Sequence, residues 1–99
     1  MNGLPTISDI QRIVAQLGER YGAERIFLFG SYARGDADEN SDIDLRIDKG
    51  SIRGLSMCAL LVDIEDSLGK KVDLLSTKCL RSDFLKAIQH EEILLYERA

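Results

Sequence analysis

Tryptophan is absent from this chain, and proline and histidine each occur once. Scarce proline leaves helices and strands uninterrupted, and no low-complexity tract, repeat or linker is visible. Cysteine occurs only at Cys58 and Cys79, neither in a Cys-x-x-Cys pair, and His90 is the lone imidazole. Zinc-ligand spacing is therefore missing. The two thiols are expected to be reduced, Cys58 in a core-facing helix stripe and Cys79 near a strand end. No apolar run approaches the ~20 residues that cross a bilayer. Met1 to Ser8 carries no basic stretch followed by an apolar one, so a secretory leader is not expected. These absences point to a cytoplasmic protein without membrane contact. A basic surplus is lacking too, since the net charge is −4. Stand-alone nucleic-acid binding draws most of its affinity from Lys and Arg on phosphates, so strong binding of that kind is not expected.

What is present is the composition of a folded domain: 44% hydrophobic and 30% charged residues in a chain of 99. One domain over residues 1–99, with a small core, is the expectation. Ser8-Asp9-Ile10-Gln11 fits a capping box. Ile10, Ile13, Val14 and Leu17 recur at helical spacing, predicting a helix from about Asp9 to Tyr21. Arg25 to Phe29, closed by Gly30, reads as a strand buried on both faces. Ser31 to Gly35 can form a helical turn, and Asp36 to Ser41 a polar loop. Asp42 to Asp48 alternates strictly, with Ile43, Leu45 and Ile47 opposite Asp42, Asp44, Arg46 and Asp48, as a half-buried strand does. Leu55, Cys58, Ala59, Val62 and Leu68 suggest the apolar stripe of a second long helix, ended by Gly69. Lys71 to Leu75 reads as a strand, and Ser82 can cap a helix to about Gln89. Ile93 to Tyr96 continues that helix or forms a last strand, with strand preferred. The order predicts an α+β fold of two-layer type, a small mixed β-sheet with helices packed on it.

The chemistry concentrates in two places. Asp36 to Asp48 holds six carboxylates and one Arg, either as a solvated loop or as a cation site. Asp42 and Asp44 are i and i+2 on one strand, so they project from the same face. Like charges so close raise each other's pKa unless a cation lies between them. Mg²⁺ suits such oxygen ligands and keeps positions for water and phosphate. Asp73, between Val72 and Leu74, is the candidate third carboxylate; its bland reading is an edge-strand surface residue. Three carboxylates can serve two metal ions in phosphoryl transfer. The second place is Gly30-Ser31, where a buried strand meets a helical turn. Backbone N–H groups there suit an anion, Gly30 permits close approach, and the Ser31 hydroxyl can bond a phosphate oxygen. Arg34 either adds a charged donor to the phosphates or pairs with Asp36 or Asp38 on the surface. Asp48 is expected to be solvated, Ser41 to shape its loop and His90 to lie on the surface. Tyr32 packs near whatever this site binds or faces a partner.

Gly30-Ser31, ten residues, then Asp42-Ile43-Asp44 resembles the signature of the polymerase-β-like nucleotidyltransferase superfamily. The longer string GSYARGDADENSDIDLRID resembles its minimal branch, with Ala33, Arg34, Gly35, Ala37, Ser41 and Leu45 all matching. Asp73 in KVDLLS falls where that family has its third acidic residue. The loop from Asp36 to Asn40 is more acidic than the family pattern. The resemblance implies the nucleotidyltransferase fold, with Asp42, Asp44 and Asp73 binding two Mg²⁺ ions and Asp73 able to act as general base. Gly30, Ser31 and Arg34 would bind a nucleoside triphosphate, ATP. It further implies a HEPN-domain toxin as partner and AMP transfer to a tyrosine of that ribonuclease, with this chain as the antitoxin. Two alternatives stay open: neutralisation of the partner by contact alone, and nucleotidyl transfer to RNA or a small molecule. An open cleft wall suggests cover by a partner or a second copy in a homo-oligomer. The segment Ile93 to Tyr96 and the helix Leu55–Leu68 are candidate contact surfaces, with core packing the plainer reading.

Overall fold

The computed structural model describes residues 4–99; Met1 to Gly3, part of the stretch read for a leader, lie outside the described residues. The elements are α1 (Ile7–Tyr21), β1 (Arg25–Phe29), α2 (Ser31–Arg34), β2 (Ile43–Asp48), α3 (Leu55–Leu68), β3 (Val72–Ser76), a short 3-10 turn (Thr77–Cys79), α4 (Ser82–Gln89) and β4 (Ile93–Glu97). The strands form one sheet in the order β3-β2-β1-β4. β1 runs antiparallel to β2 and β4, and β2 runs parallel to β3, so the sheet is mixed as expected. The α3 crossover is what permits the parallel pair, since a tight turn cannot return a strand in the same direction.

Strand alternation divides the sheet into two unlike faces. Ile26 and Leu28 of β1 and Ile43, Leu45 and Ile47 of β2 are fully buried in the main core. α1 closes that core with Ile10, Val14 and Leu17, and Ile13, the fourth residue its periodicity marked, is partly buried beside them. Each such side chain contributes about 1.5–3 kcal/mol by leaving water. The opposite face carries Phe27, Phe29, Asp44 and Arg46, and α4 leans on it through an edge-to-face contact of Phe84 with Phe29. One face of the sheet therefore holds the fold, and the other is left for polar chemistry.

Three local expectations are corrected. The capping box belongs to Thr6 and Asp9, not to Ser8 and Gln11: Asp9 N–H donates to the Thr6 hydroxyl, and Thr6 N–H donates to the Asp9 carboxylate, both at 3.0 Å. A full carboxylate in the first turn also meets the positive end of the helix dipole, which Gln11 does not. Ser82 is the first residue of α4 rather than its cap, and Arg81 stands at the N-cap without a side-chain bond. The α3 stripe faces the other way. Leu60 and Ile64 are buried with Met57, Leu61 and Leu68 beside them, while Leu55 and Val62 are exposed and Cys58 lies at the surface. Apolar residues surround α3 on nearly all sides, so periodicity alone gave two candidate stripes, and packing onto α1 and β3 selected one. No helix among the described residues is long and apolar enough to cross a membrane.

Candidate active site

β1 delivers the chain to Gly30, which sits at φ +76° and ψ −156°, a conformation that side chains other than glycine resist. A Cβ there would also lie 2.2 Å from Asp44 Oδ2. The glycine thus turns the chain into α2 and lets the Asp44 carboxyl lie against bare backbone. The register explains the contact: Asp44 pairs with Phe29, the residue before Gly30. On the other side, Asp44 pairs with Asp73 of β3 in the parallel ladder. Gly30, Asp44 and Asp73 therefore lie in a row across three strands. Asp42, two residues before Asp44, is on the same face just ahead of β2, 3.9 Å from Lys71 Nζ.

The electrostatics of the row are unbalanced. The Asp44 carboxyl is pushed up to about 6, first by burial, then by the charge of Asp73 and a proton shared with it, and then by Asp42; Arg34 opposes them weakly. A site that sets Asp44 beside Asp73, with Asp42 on the same face, and raises the pKa of the buried one fits a hard divalent cation, whose oxygen-ligand preference matches the donor set. As they stand, no three acidic, His or Cys side chains among the described residues converge closely enough to cage an ion.

α2 places Arg34 one turn beyond Gly30, where it pairs with Asp36 as one of its two sequence readings expected, and also with an unexpected group. Arg34 Nη1 donates to both carboxylate oxygens of Glu91 at 3.2 Å, and its Nε lies 3.3 Å from Asp36 Oδ2. Glu91 Oε2 also accepts the Gly30 N–H at 2.6 Å. The next residue, Glu92, holds Arg46 at 2.6 and 3.1 Å. The Arg46 guanidinium is nearly buried, stacks 4.0 Å from the Phe27 ring and donates to the Thr77 hydroxyl. Sequence reading assigned no role to either glutamate and placed only the adjacent His90 at the surface. The available signal was Arg46, a cation on an otherwise acidic strand face that needs a partner from elsewhere.

Ser41 shapes its loop, its hydroxyl accepting the Asp38 N–H at 2.9 Å. His90 is exposed. Tyr32 is buried in the core, and its hydroxyl has no hydrogen-bond partner among the described residues. Asp48 is not solvated: it accepts from Arg25 Nε at 2.9 Å and lies 3.6 Å from Arg46. Burial raises its pKa, but Thr77, Arg25 and Arg46 outweigh burial and hold it below the usual carboxylate range.

A glycine–serine turn set against an acidic strand pair, on the open face of a helix-backed mixed sheet, defines a nucleotidyltransferase. The family model for polymerase beta nucleotidyltransferases matches residues 11–99, and the chain belongs to that family. It is 36% identical over 93 residues to the protein adenylyltransferase MntA of Thermococcus cleftensis, covering 89% of this chain and 94% of that protein. A solved minimal nucleotidyltransferase structure superposes with a TM-score of 0.80 at 34% identity, covering 93% of this chain and 95% of that one. A toxin–antitoxin structure with AMP-PNP shares the fold, with a TM-score of 0.75 at 21% identity over 89% of this chain and 73% of that chain.

Proposed function

We propose that this chain transfers AMP from Mg-ATP to a tyrosine hydroxyl of a HEPN ribonuclease toxin and thereby acts as its antitoxin. The observation that carries the chemistry is the Asp44–Asp73 register pair seated against Gly30. The protein acceptor is supported by relatives named as protein adenylyltransferases. The adenylyl donor agrees with the AMP-PNP of the toxin–antitoxin structure that shares the fold.

In this reading Gly30 N–H, the Ser31 hydroxyl and Arg34 hold the triphosphate tail, and Asp42, Asp44 and Asp73 hold two Mg²⁺ ions. Those ions, when bound, lower the pKa of the acceptor hydroxyl and neutralise the leaving pyrophosphate. Asp73, at the edge of the row, accepts the hydroxyl proton. The acceptor oxygen forms its bond to the α-phosphorus as the bond to the bridging oxygen of the β-phosphate breaks, and pyrophosphate departs. The residues fix geometry and charge, which is most of what a phosphoryl-type transfer requires.

Incubation with ATP labelled in its AMP moiety, Mg²⁺ and the HEPN protein from the same genome tests the proposal. Label on the toxin that disappears with Asp42→Asn plus Asp44→Asn is expected; no label with the unaltered chain would end it. A second reading, neutralisation by contact alone, draws on the exposed apolar residues Leu55 and Val62 of α3. Full neutralisation by the doubly substituted chain would favour it.

A further inference from the structure

The group that lies on the proposed phosphate cradle belongs to the chain itself. Glu91 Oε2 takes the Gly30 N–H at 2.6 Å, and both Glu91 oxygens take Arg34 Nη1 at 3.2 Å. A carboxylate bonded at once to a backbone N–H and to a guanidinium offers the same donors what a phosphate oxygen would offer them. Gly30 is buried, so its N–H has no bulk water as an alternative partner. The Glu91 side chain is 24% exposed, which leaves it a route outward.

From this contact we infer that Glu91 is a residue of the nucleotide site. It holds the Gly30 N–H and Arg34 while the site is empty and must be displaced before the triphosphate tail can take them. The inference rests on the reading of Gly30-Ser31 and Arg34 as the triphosphate cradle.

The neighbouring residue explains why displacement stays local. Glu92 is clamped to Arg46 in a nearly buried pair, with side-chain exposures of 10% and 7%. The turn between α4 and β4 is therefore anchored, and Glu91 can leave by rotating its side chain without unwinding α4. Two adjacent carboxylates thus have separate duties: Glu92 neutralises a buried cation permanently, and Glu91 neutralises Arg34 only until a more highly charged anion arrives. A competing internal ligand lowers apparent affinity by the fraction of molecules in which it occupies the site. Displacing a charge-assisted contact of this kind corresponds to about a tenfold effect on affinity.

Calorimetric titration of the purified chain with Mg²⁺ and AMP-PNP tests the inference. Glu91→Ala is expected to bind about tenfold more tightly than the unaltered chain, with Glu91→Gln between them. Gln keeps an oxygen for the Gly30 N–H, has nearly the same shape and loses the charge, so it remains informative if Ala perturbs the turn. The Gly30 amide resonance supplies a second readout. It should move on Glu91→Ala without nucleotide, and on nucleotide binding to the unaltered chain. Equal or weaker binding by both variants, with nucleotide still bound by the unaltered chain, overturns the role of Glu91 and leaves the cradle intact. A Gly30 resonance unmoved by Glu91→Ala overturns it as well. Loss of nucleotide binding in the unaltered chain and both variants would instead remove the cradle reading, and the inference with it.

Discussion

Asp44 and Asp73 are direct register partners in the parallel ladder of β2 and β3. Side chains in register point to the same face, so a pair separated by 29 positions in the sequence becomes adjacent through strand pairing alone. A one-residue slip of β3 would turn Asp73 to the core face and break the row. The ladder that builds the sheet is thus also what assembles the acidic site.

Burial of Asp44, and after it the nearness of Asp73, costs stability when no cation is bound. An unfolded aspartate titrates near 4, whereas Asp44 in the fold titrates at about 6. The folded chain therefore binds the Asp44 proton more tightly than the unfolded chain. The penalty is absent below pH ~4, grows as pH rises and is complete above pH ~6. Denaturant unfolding in a chelator should show Asp44→Asn more stable than the unaltered chain at pH 7 by about 1 kcal/mol, a figure discounted for solvent screening of a half-exposed group. The difference should vanish near pH 4. Equal stabilities at pH 7 would contradict the raised Asp44 pKa.

Added Mg²⁺ should reverse that ranking. Binding to the folded state alone stabilises it by mass action. Thermal unfolding of the unaltered chain should move upward as Mg²⁺ and ATP are raised together, while the Asp42→Asn plus Asp44→Asn chain should not respond. In transfer assays with its partner, Asp44→Asn should slow the reaction at least about a hundredfold, because a metal clamp supplies several kcal/mol to the transition state. One substitution is then stabilising and inactivating at once.

Gly30→Ala should damage both fold and site. The new methyl group meets Asp44 Oδ2 at 2.2 Å, and φ of +76° is strained for alanine. A loss of about 2–4 kcal/mol is expected in urea unfolding, since steric and backbone costs add. A loss below ~0.5 kcal/mol would mean that the turn relaxes freely.

Arg46 and Glu92 form the test of the second glutamate. Glu92→Ala leaves a guanidinium that is 7% exposed without its bidentate partner. The expected destabilisation is about 3 kcal/mol, because a buried guanidinium that loses its bidentate partner keeps only the more distant Asp48 carboxylate at 3.6 Å. Replacing both residues by apolar ones of similar size should recover most of it. If the double variant is no better than Glu92→Ala, the pair is not the source of the loss.

Much of this molecule was legible along the chain. The alternation of β2 put Asp42 and Asp44 on one face, and the Gly30-Ser31 junction marked the strand-to-helix turn; both are local features, set by backbone geometry within a few residues. α1 was legible because its apolar residues occupy a single stripe. α3 was not, because its apolar residues are spread over most of its circumference and offer more than one face, and only its neighbours choose. Asp48 was misjudged for a related reason: Arg25 and Thr77, which hold it, come from other elements.

The sequence by itself determined which residue types stand at which spacing: the acidic pair, the glycine–serine turn, and enough alternation to require a sheet with one polar face. The tertiary structure alone decided that β3 would bring Asp73 level with Asp44. It alone brought Glu91 across 61 positions to Gly30, and Glu92 across 46 to Arg46. Spacing along a chain governs only what backbone periodicity reaches. Contacts between distant segments depend on register and packing, where burying the whole apolar set selects one arrangement among many that are locally equivalent.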